Sequence, residues 1–218
     1  IWTTVSQNIF LAGTPKVENP FGKRLVEKGL NQFRLTETQK FPHVTFFYNG
    51  GYREPLDSNL EKYHLIPSDK VSSFAEAPKM KAVEIGKEAV DFIRSENYQY
   101  GLINFANADM VGHTGNLKAA VSAVESVDQA LGPMIEALDT VNGIMVITAD
   151  HGNADEMLTI NHLNGETEPS TKHSINPVPF LIYDPLYDGS YQLKAYGENC
   201  ENNLSQVAAT NFILMGME

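Results

Sequence analysis

Between Asn116 and Asp150 the chain carries the pattern that most restricts its fold. Leu117, Val121, Val124, Val127, Leu131, Met134 and Leu138 recur at steps of three and four, the spacing of one helix face, and predict a buried apolar stripe over about 116–138. Gly143 then hands over to the apolar run Ile144 to Ile147, two isoleucines and a valine around one methionine, which reads as a buried strand. A long helix feeding straight into a strand is half of a crossover unit. The remaining segments repeat the alternation. Strand patterns fall at Asn31 to Thr36, His43 to Tyr48 (HVTFFY), Tyr63 to Ile66, Tyr100 to Phe105 and Pro177 to Tyr183, with a further helix from Lys79 to about Arg94. Strands near 46, 103, 146 and 181 separated by helices imply an α/β fold, a sandwich of helices around a mainly parallel central sheet.

Punctuation fills in the rest. Asn19-Pro20 marks a helix start with Gly29 as its stop, and Asn49-Gly50-Gly51 ends the segment before it. Asn107 to Thr114 reads as a polar loop, and Leu158 to Lys172 as a surface loop or small hairpin around Asn164-Gly165. Ile1 to Val17 and Tyr187 to Asn203 read as irregular, and Asn203 to Met215 as a terminal helix. No low-complexity break or charge-run linker divides the 218 residues, so the expectation is one domain, 1–218.

Charge narrows the choice of partner. With 16 Lys plus Arg against 27 Asp plus Glu, the net charge of -11 argues against a nucleic-acid backbone or an anionic membrane. A small anion stays open, because a bound cation reverses the potential inside one cleft. No apolar run approaches the ~18 residues of a membrane span. Cys200 is the single cysteine, which precludes an internal disulfide and fits a reducing, cytoplasmic setting. The sequence opens on Ile1 rather than methionine, which suggests processing, a boundary or a fragment.

Candidate chemistry gathers at the ends of the predicted strands. Asp150 and His151 follow the strand at 146, where an α/β sheet binds ligands. Their oxygen and imidazole nitrogen suit a divalent ion, and a hydrogen-bonded structural pair explains them as well. Asp109 and His113, in DMVGH, are four apart and face one point if the loop makes a turn. His173, in KHSINPVP, precedes another strand. His43 reads as a structural histidine, His64 and His162 as surface or connector residues, and Lys40 as a solvated loop lysine or a point charge for a phosphate.

Longer runs carry a resemblance. ETQKFPHVTFFYNGG at 37–51, PKMKAVEIG at 78–86, FANADMVGHTGN at 105–116, ITADHGNADEM at 147–157 and HSINPVPFLI at 173–182 resemble the cofactor-independent phosphoglycerate mutases, members of the alkaline-phosphatase-like metalloenzymes. The likeness covers roughly residues 20 to 185. It implies an incomplete alkaline-phosphatase-like domain, the C-terminal portion of the enzyme. By that resemblance Asp109, His113 and His173 match the protein ligands of one manganese ion, and Asp150 and His151 match two ligands of a second. Lys40 matches a lysine near the substrate phosphate, although Gln39 stands where many members have glutamate.

The implied chemistry converts 3-phosphoglycerate into 2-phosphoglycerate through a phosphoserine. Neither the nucleophilic serine's motif nor the aspartate that completes the second ion's site is found in this sequence. Nor is the arginine-bearing substrate domain, so the missing N-terminal part of the same enzyme is the expected partner. Two other readings stay open: a related metal-dependent phosphatase or phosphopentomutase, and a non-catalytic metal-binding fragment.

Overall fold

The computed structural model describes residues 17–161, 163–170, 172–194 and 203–217. The expectations for 1–16, for His162 and for 195–202 lie outside the described residues.

Helix α1 (Phe21–Glu27) starts at Pro20, whose fixed φ suits a helix entry, and Gly29 takes a positive φ of 69° just past its end. The chain then enters β1 (Gln32–Glu37), buried at every position. It pairs in parallel with β2 (Glu61–Ile66) on one side and β3 (Tyr100–Ile103) on the other, giving the order β2-β1-β3. A central strand covered on both faces is characteristic of parallel sheets.

Apolar residues do not fill both faces of β1. Phe33 and Leu35 join Ile85, Ala89 and Met134 in one apolar cluster, while Gln32, Arg34 and Thr36 face the other way and are fully buried. Arg34 pairs with Glu61 at 3.0 Å with neither side chain exposed. Asn49 donates to both Glu61 oxygens at 2.9 and 3.1 Å, Gln32 Oε1 accepts from Arg34 at 2.6 Å, and the guanidinium lies 4.7 Å from the Tyr48 ring centre. Burial, reinforced by the Glu61 charge, raises the neighbouring Tyr63 hydroxyl to about 12.

Helix α2 (Ala82–Arg94) and the long helix α4 (Leu117–Val141) pack against each other beside this sheet. Their approach is close enough that a Cβ on Gly86 would stand 2.8 Å from the Ala130 Cβ. The expected apolar stripe holds in its C-terminal half, where Met134 and Leu138 are buried and Leu131 packs on the core, and fails in its N-terminal half. The buried face of α4 is built from Ala119, Ala120, Ala123, Ser126, Ala130, Met134, Ala137 and Leu138, whereas Leu117, Val121 and Val124 are exposed. Where the two helices touch at Gly86, only a side chain as small as that of Ala130 admits the second helix at this distance.

Two further expectations are corrected. His43 to Tyr48 is not a strand: His43–Phe47 forms a π-helical turn, entered after Pro42, in which Thr45 Oγ1 returns a 2.7 Å hydrogen bond to the Phe41 carbonyl. Its aromatic and β-branched composition mimics a strand, but Val44 and Thr45 are buried side by side, which no alternating strand would do. Asn107–Gly112 is helix α3 rather than a loop. The fully buried Asn107 anchors its start by donating to the carbonyls of Pro78 (3.2 Å) and Lys79 (2.8 Å).

The strand at 146 is present as β4 (Met145–Thr148), reached through Asn142 in the left-handed conformation at the end of α4. Among the described residues it pairs with β7 (Phe180–Tyr183), antiparallel, rather than extending the parallel sheet. The excursion between them forms the expected hairpin, β5 (Leu158–Ile160) with β6 (Thr167–Pro169). The terminal helix begins as a short turn, Leu204–Gln206, and continues as α5 (Val207–Leu214).

Candidate metal centre

The topology explains how residues far apart in sequence meet. Because β1 and β3 are parallel neighbours, their C-terminal ends open on the same edge of the sheet. The short turn Thr38–Lys40 leaves β1 there, and α3 follows β3 there. The pairing is prolonged past the strands by Asn104 N–H donating to the Leu35 carbonyl at 3.0 Å and Thr36 Oγ1 to the Asn104 carbonyl at 3.0 Å. Antiparallel pairing of β4 with β7 works differently, placing the end of one beside the start of the other, Thr148 opposite Phe180. His151 therefore approaches His173 although one follows its strand and the other precedes it.

Asp109 is the hub. Its Oδ1 lies 3.2 Å from His113 Nε2 and 3.3 Å from His173 Nε2, and the two imidazole nitrogens are 3.3 Å apart. The spacing of four between Asp109 and His113 brings them together on one helical turn, as its period requires. His151 stacks on His173 with ring centres 3.5 Å apart and planes 7° from parallel, and donor atoms of Asp109, His151 and His173 all lie within 4.8 Å of one another. Asp150 is peripheral to this group: its carboxylate is 69% exposed and meets His151 Nε2 at 3.5 Å.

Lys40 is not a solvated loop lysine. Its side chain is 10% exposed and its ammonium donates to Asp109 Oδ2. Asn153 Nδ2 donates to Asp109 Oδ1 at 2.7 Å. Burial alone would raise the Asp109 carboxyl, but the Lys40 ammonium, then Asn153 and His113, outweigh it and hold the group below the usual carboxylate range. Asp109 is thus kept anionic.

His43 is also close to this centre, contrary to its structural reading. The ring is exposed and contacts Phe47, 5.4 Å between centres. Its partial burial, and after that the Lys40 charge, lower its pKa, against the pull of Asp150 and Asp109. His64 sits on β2 with its Nε2 3.6 Å from Glu88, away from the cluster in keeping with a surface role.

The donor set fits a divalent cation. One carboxylate oxygen and two imidazole nitrogens form a triangle with edges of 3.2–3.3 Å. Donors about 2.1 Å from a tetrahedral ion stand about 3.4 Å apart. Mixed oxygen and nitrogen ligation suits manganese, zinc or cobalt rather than calcium.

Residues 5–218 match the Metalloenzyme superfamily. The chain belongs to this superfamily. Its relatives sharpen the assignment. The superfamily chain is 40% identical over 213 residues to the 2,3-bisphosphoglycerate-independent phosphoglycerate mutase of Clostridioides difficile, covering 97% of its own length and 39% of the relative's. It is 40% identical over 202 residues to the enzyme of the same name from Gracilaria tenuistipitata, covering 93% and 37%. Among solved structures, a phosphoglycerate mutase of Leishmania mexicana, crystallised at low cobalt concentration, superposes with a TM-score of 0.83 at 39% identity over 90% of this chain and 37% of that one. The family resemblance carried by the five sequence runs and the α/β fold class are therefore borne out. The chain spans about two-fifths of the length of the relatives it matches.

Asn153, Asp155 and Ser174 were not picked out as site residues from the sequence. The only signal was their nearness to His151 and His173 in the chain: the Asn153 amide and the Ser174 hydroxyl have no spacing rule of their own, and Asp155 is one acid among many in an acidic chain.

Proposed function

We propose that this chain is the metal-holding portion of a phosphoglycerate mutase that interconverts 3-phosphoglycerate and 2-phosphoglycerate, in glycolysis and gluconeogenesis, in the cytoplasm. The observation that carries the reading is the convergence of Asp109, His113, His151 and His173 at one sheet edge with Lys40 locked against Asp109. Names of relatives supply the reaction. The proposed ligands are Asp109, His113 and His173 for one manganese ion, with Asp150 and His151 for a second. Bound cations would offset charge on the phosphoryl oxygens and lower the pKa of a hydroxyl nucleophile.

The chain's own residues do the rest. Asp109 stays anionic because Lys40 and Asn153 hydrogen-bond it, so its Oδ1 faces the imidazoles as a charged donor. Neutral imidazoles are required as ligands, and the stacked pair His151–His173 presents two rings side by side. Lys40 contributes a compact positive charge for a substrate phosphate, a role supported by its hold on Asp109 and by the effect of its charge at the exposed His43. The superfamily serine that would take up the phosphoryl group has no counterpart motif here, so we propose that the 218-residue chain does not turn over unaided.

Purified chain assayed with manganese for interconversion of the two phosphoglycerates tests this directly. No turnover is expected, together with about one tightly held ion per chain by elemental analysis. Robust turnover refutes the need for a nucleophile from elsewhere, and failure to bind any divalent ion refutes the metal reading.

A further inference from the structure

The loop after β4 carries more than His151. Asn153, buried, donates from Nδ2 to Asp109 Oδ1 at 2.7 Å and to the Asp109 carbonyl at 3.2 Å. Two residues on, Asp155 Oδ2 accepts from Ser174 Oγ at 2.7 Å and from Asn176 Nδ2 at 2.6 Å. The backbones of Gly152 and Ser174 pair as an isolated antiparallel bridge, with Ser174 N–H donating to the Gly152 carbonyl at 3.0 Å. A side chain at 152 would collide with this arrangement, since a Cβ there would stand 2.2 Å from Ser174 Oγ. One loop is thus tied to α3 on one side and to the segment before β7 on the other. Those are the two places that bear the remaining donors.

The need for such a tie is clear on the His173 side. None of the buried core residues lies in 172–179, and Ile175 is fully exposed. The apolar core therefore does not fix where His173 sits. Ser174 follows it directly, so a hydrogen bond on Ser174 sets the origin of the His173 side chain. Both partners of Asp155 are neutral, and the hydrogen bonds from Asn176 and then Ser174 hold its carboxyl below the usual range.

We propose that Asp155 is a positioning residue of the metal centre: through Ser174 and Asn176 it fixes His173 against His151 and Asp109, while Asn153 on the same loop fixes Asp109. The role rests on the metal-binding reading above. Asp155 acts as a hydrogen-bond acceptor, not as a charge attracting the cation.

Cobalt titration of the chain and of its Asp155→Ala, Asp155→Asn and Ser174→Ala variants tests this, by calorimetry for affinity and by visible absorption for ligand number. Asp155→Ala should weaken cobalt binding about tenfold or more, within the range for loss of an outer-shell partner. Its absorption should shift as His173 leaves the ion. Asp155→Asn keeps an acceptor oxygen and should stay within about threefold of the parent, with the parent spectrum. Ser174→Ala should fall between them, and carries the comparison if Asp155→Ala does not fold. Equal weakening in Asp155→Ala and Asp155→Asn overturns the proposal in favour of a charge effect. Parent-like cobalt binding in Asp155→Ala overturns it while leaving the metal reading intact. A parent that binds no cobalt overturns both.

Discussion

Replacing Lys40 by methionine removes the ammonium from Asp109 while keeping most of the side chain's length and apolar contact. The two side chains are 10% and 15% exposed, so water cannot fully replace the lost partner. Breaking a fully buried ion pair from one side costs about 3–5 kcal/mol. Here some solvent contact and the hydrogen bond from Asn153 remain, which brings the expected loss nearer about 2 kcal/mol. The loss should depend on pH. In the parent, Asp109 has a depressed folded pKa, so it contributes stability above the unfolded value of about 3.9 that disappears as pH falls through the folded value. Without Lys40, burial is opposed only by Asn153 and His113, so the folded pKa should rise. Asp109 should then contribute less at neutral pH than in the parent, and the difference should close as the carboxyl protonates. The deficit of Lys40→Met should therefore be largest near pH 7 and shrink toward pH 4, as read by urea unfolding of chelator-treated protein. His43 gives a second readout: losing the Lys40 charge should raise its pKa in histidine proton NMR. A deficit that is the same at both pH values, with His43 unmoved, would refute the electrostatic account of this pair.

Three further outcomes are expected. His113→Ala should weaken manganese binding by at least about tenfold in calorimetry, since it removes a donor 3.2 Å from Asp109, and parent-like affinity would count against its role as a ligand. Gly86→Val should lower stability by about 2 kcal/mol in thermal unfolding, because even its Cβ would stand 2.8 Å from Ala130 Cβ. Arg34→Leu should cost about 3–5 kcal/mol by leaving Glu61 buried and uncompensated, and the double variant Arg34→Leu/Glu61→Leu should recover part of that in urea unfolding.

The fold was legible where side-chain pattern and backbone geometry agree. β1, β2, β3 and β7, helix α2 and the extent of α4 all follow from period and punctuation. The errors share a physical origin. HVTFFY at 43–48 has strand composition, but a π-helical turn packs Val44 and Thr45 together and exposes Phe47, a choice made by the surrounding packing. On α4 the larger apolar residues predict the buried face only if the partner stands at ordinary distance. Where the helix meets Gly86 through Ala130, closeness sets which residue faces inward, while Met134 and Leu138 further along stay buried as their pattern predicts.

The site divides along a similar line. Asp109, His113, His151 and His173 were visible because carboxylates and imidazoles at strand ends are rare enough to notice. Lys40 was visible as a residue but not in its contact, because its partner is 69 positions away and only the parallel pairing of β1 with β3 brings the two to one edge. Asn153, Asp155 and Ser174 were invisible for a deeper reason: a hydrogen-bond brace is defined by the distance between two loops, and no single loop contains that distance. Their arrangement also bears on how the centre is built. Lys40 and Asn153 hold Asp109, and Asp155 holds the segment that starts with His173, so the donors are fixed by neighbours that belong to other strand ends. A centre supported in this way depends on the register of β4 with β7 as much as on its donors. A change at Thr148 or Phe180 that slipped this pairing by one residue would turn each side chain of the strand to the other face and separate His151 from His173 without altering either.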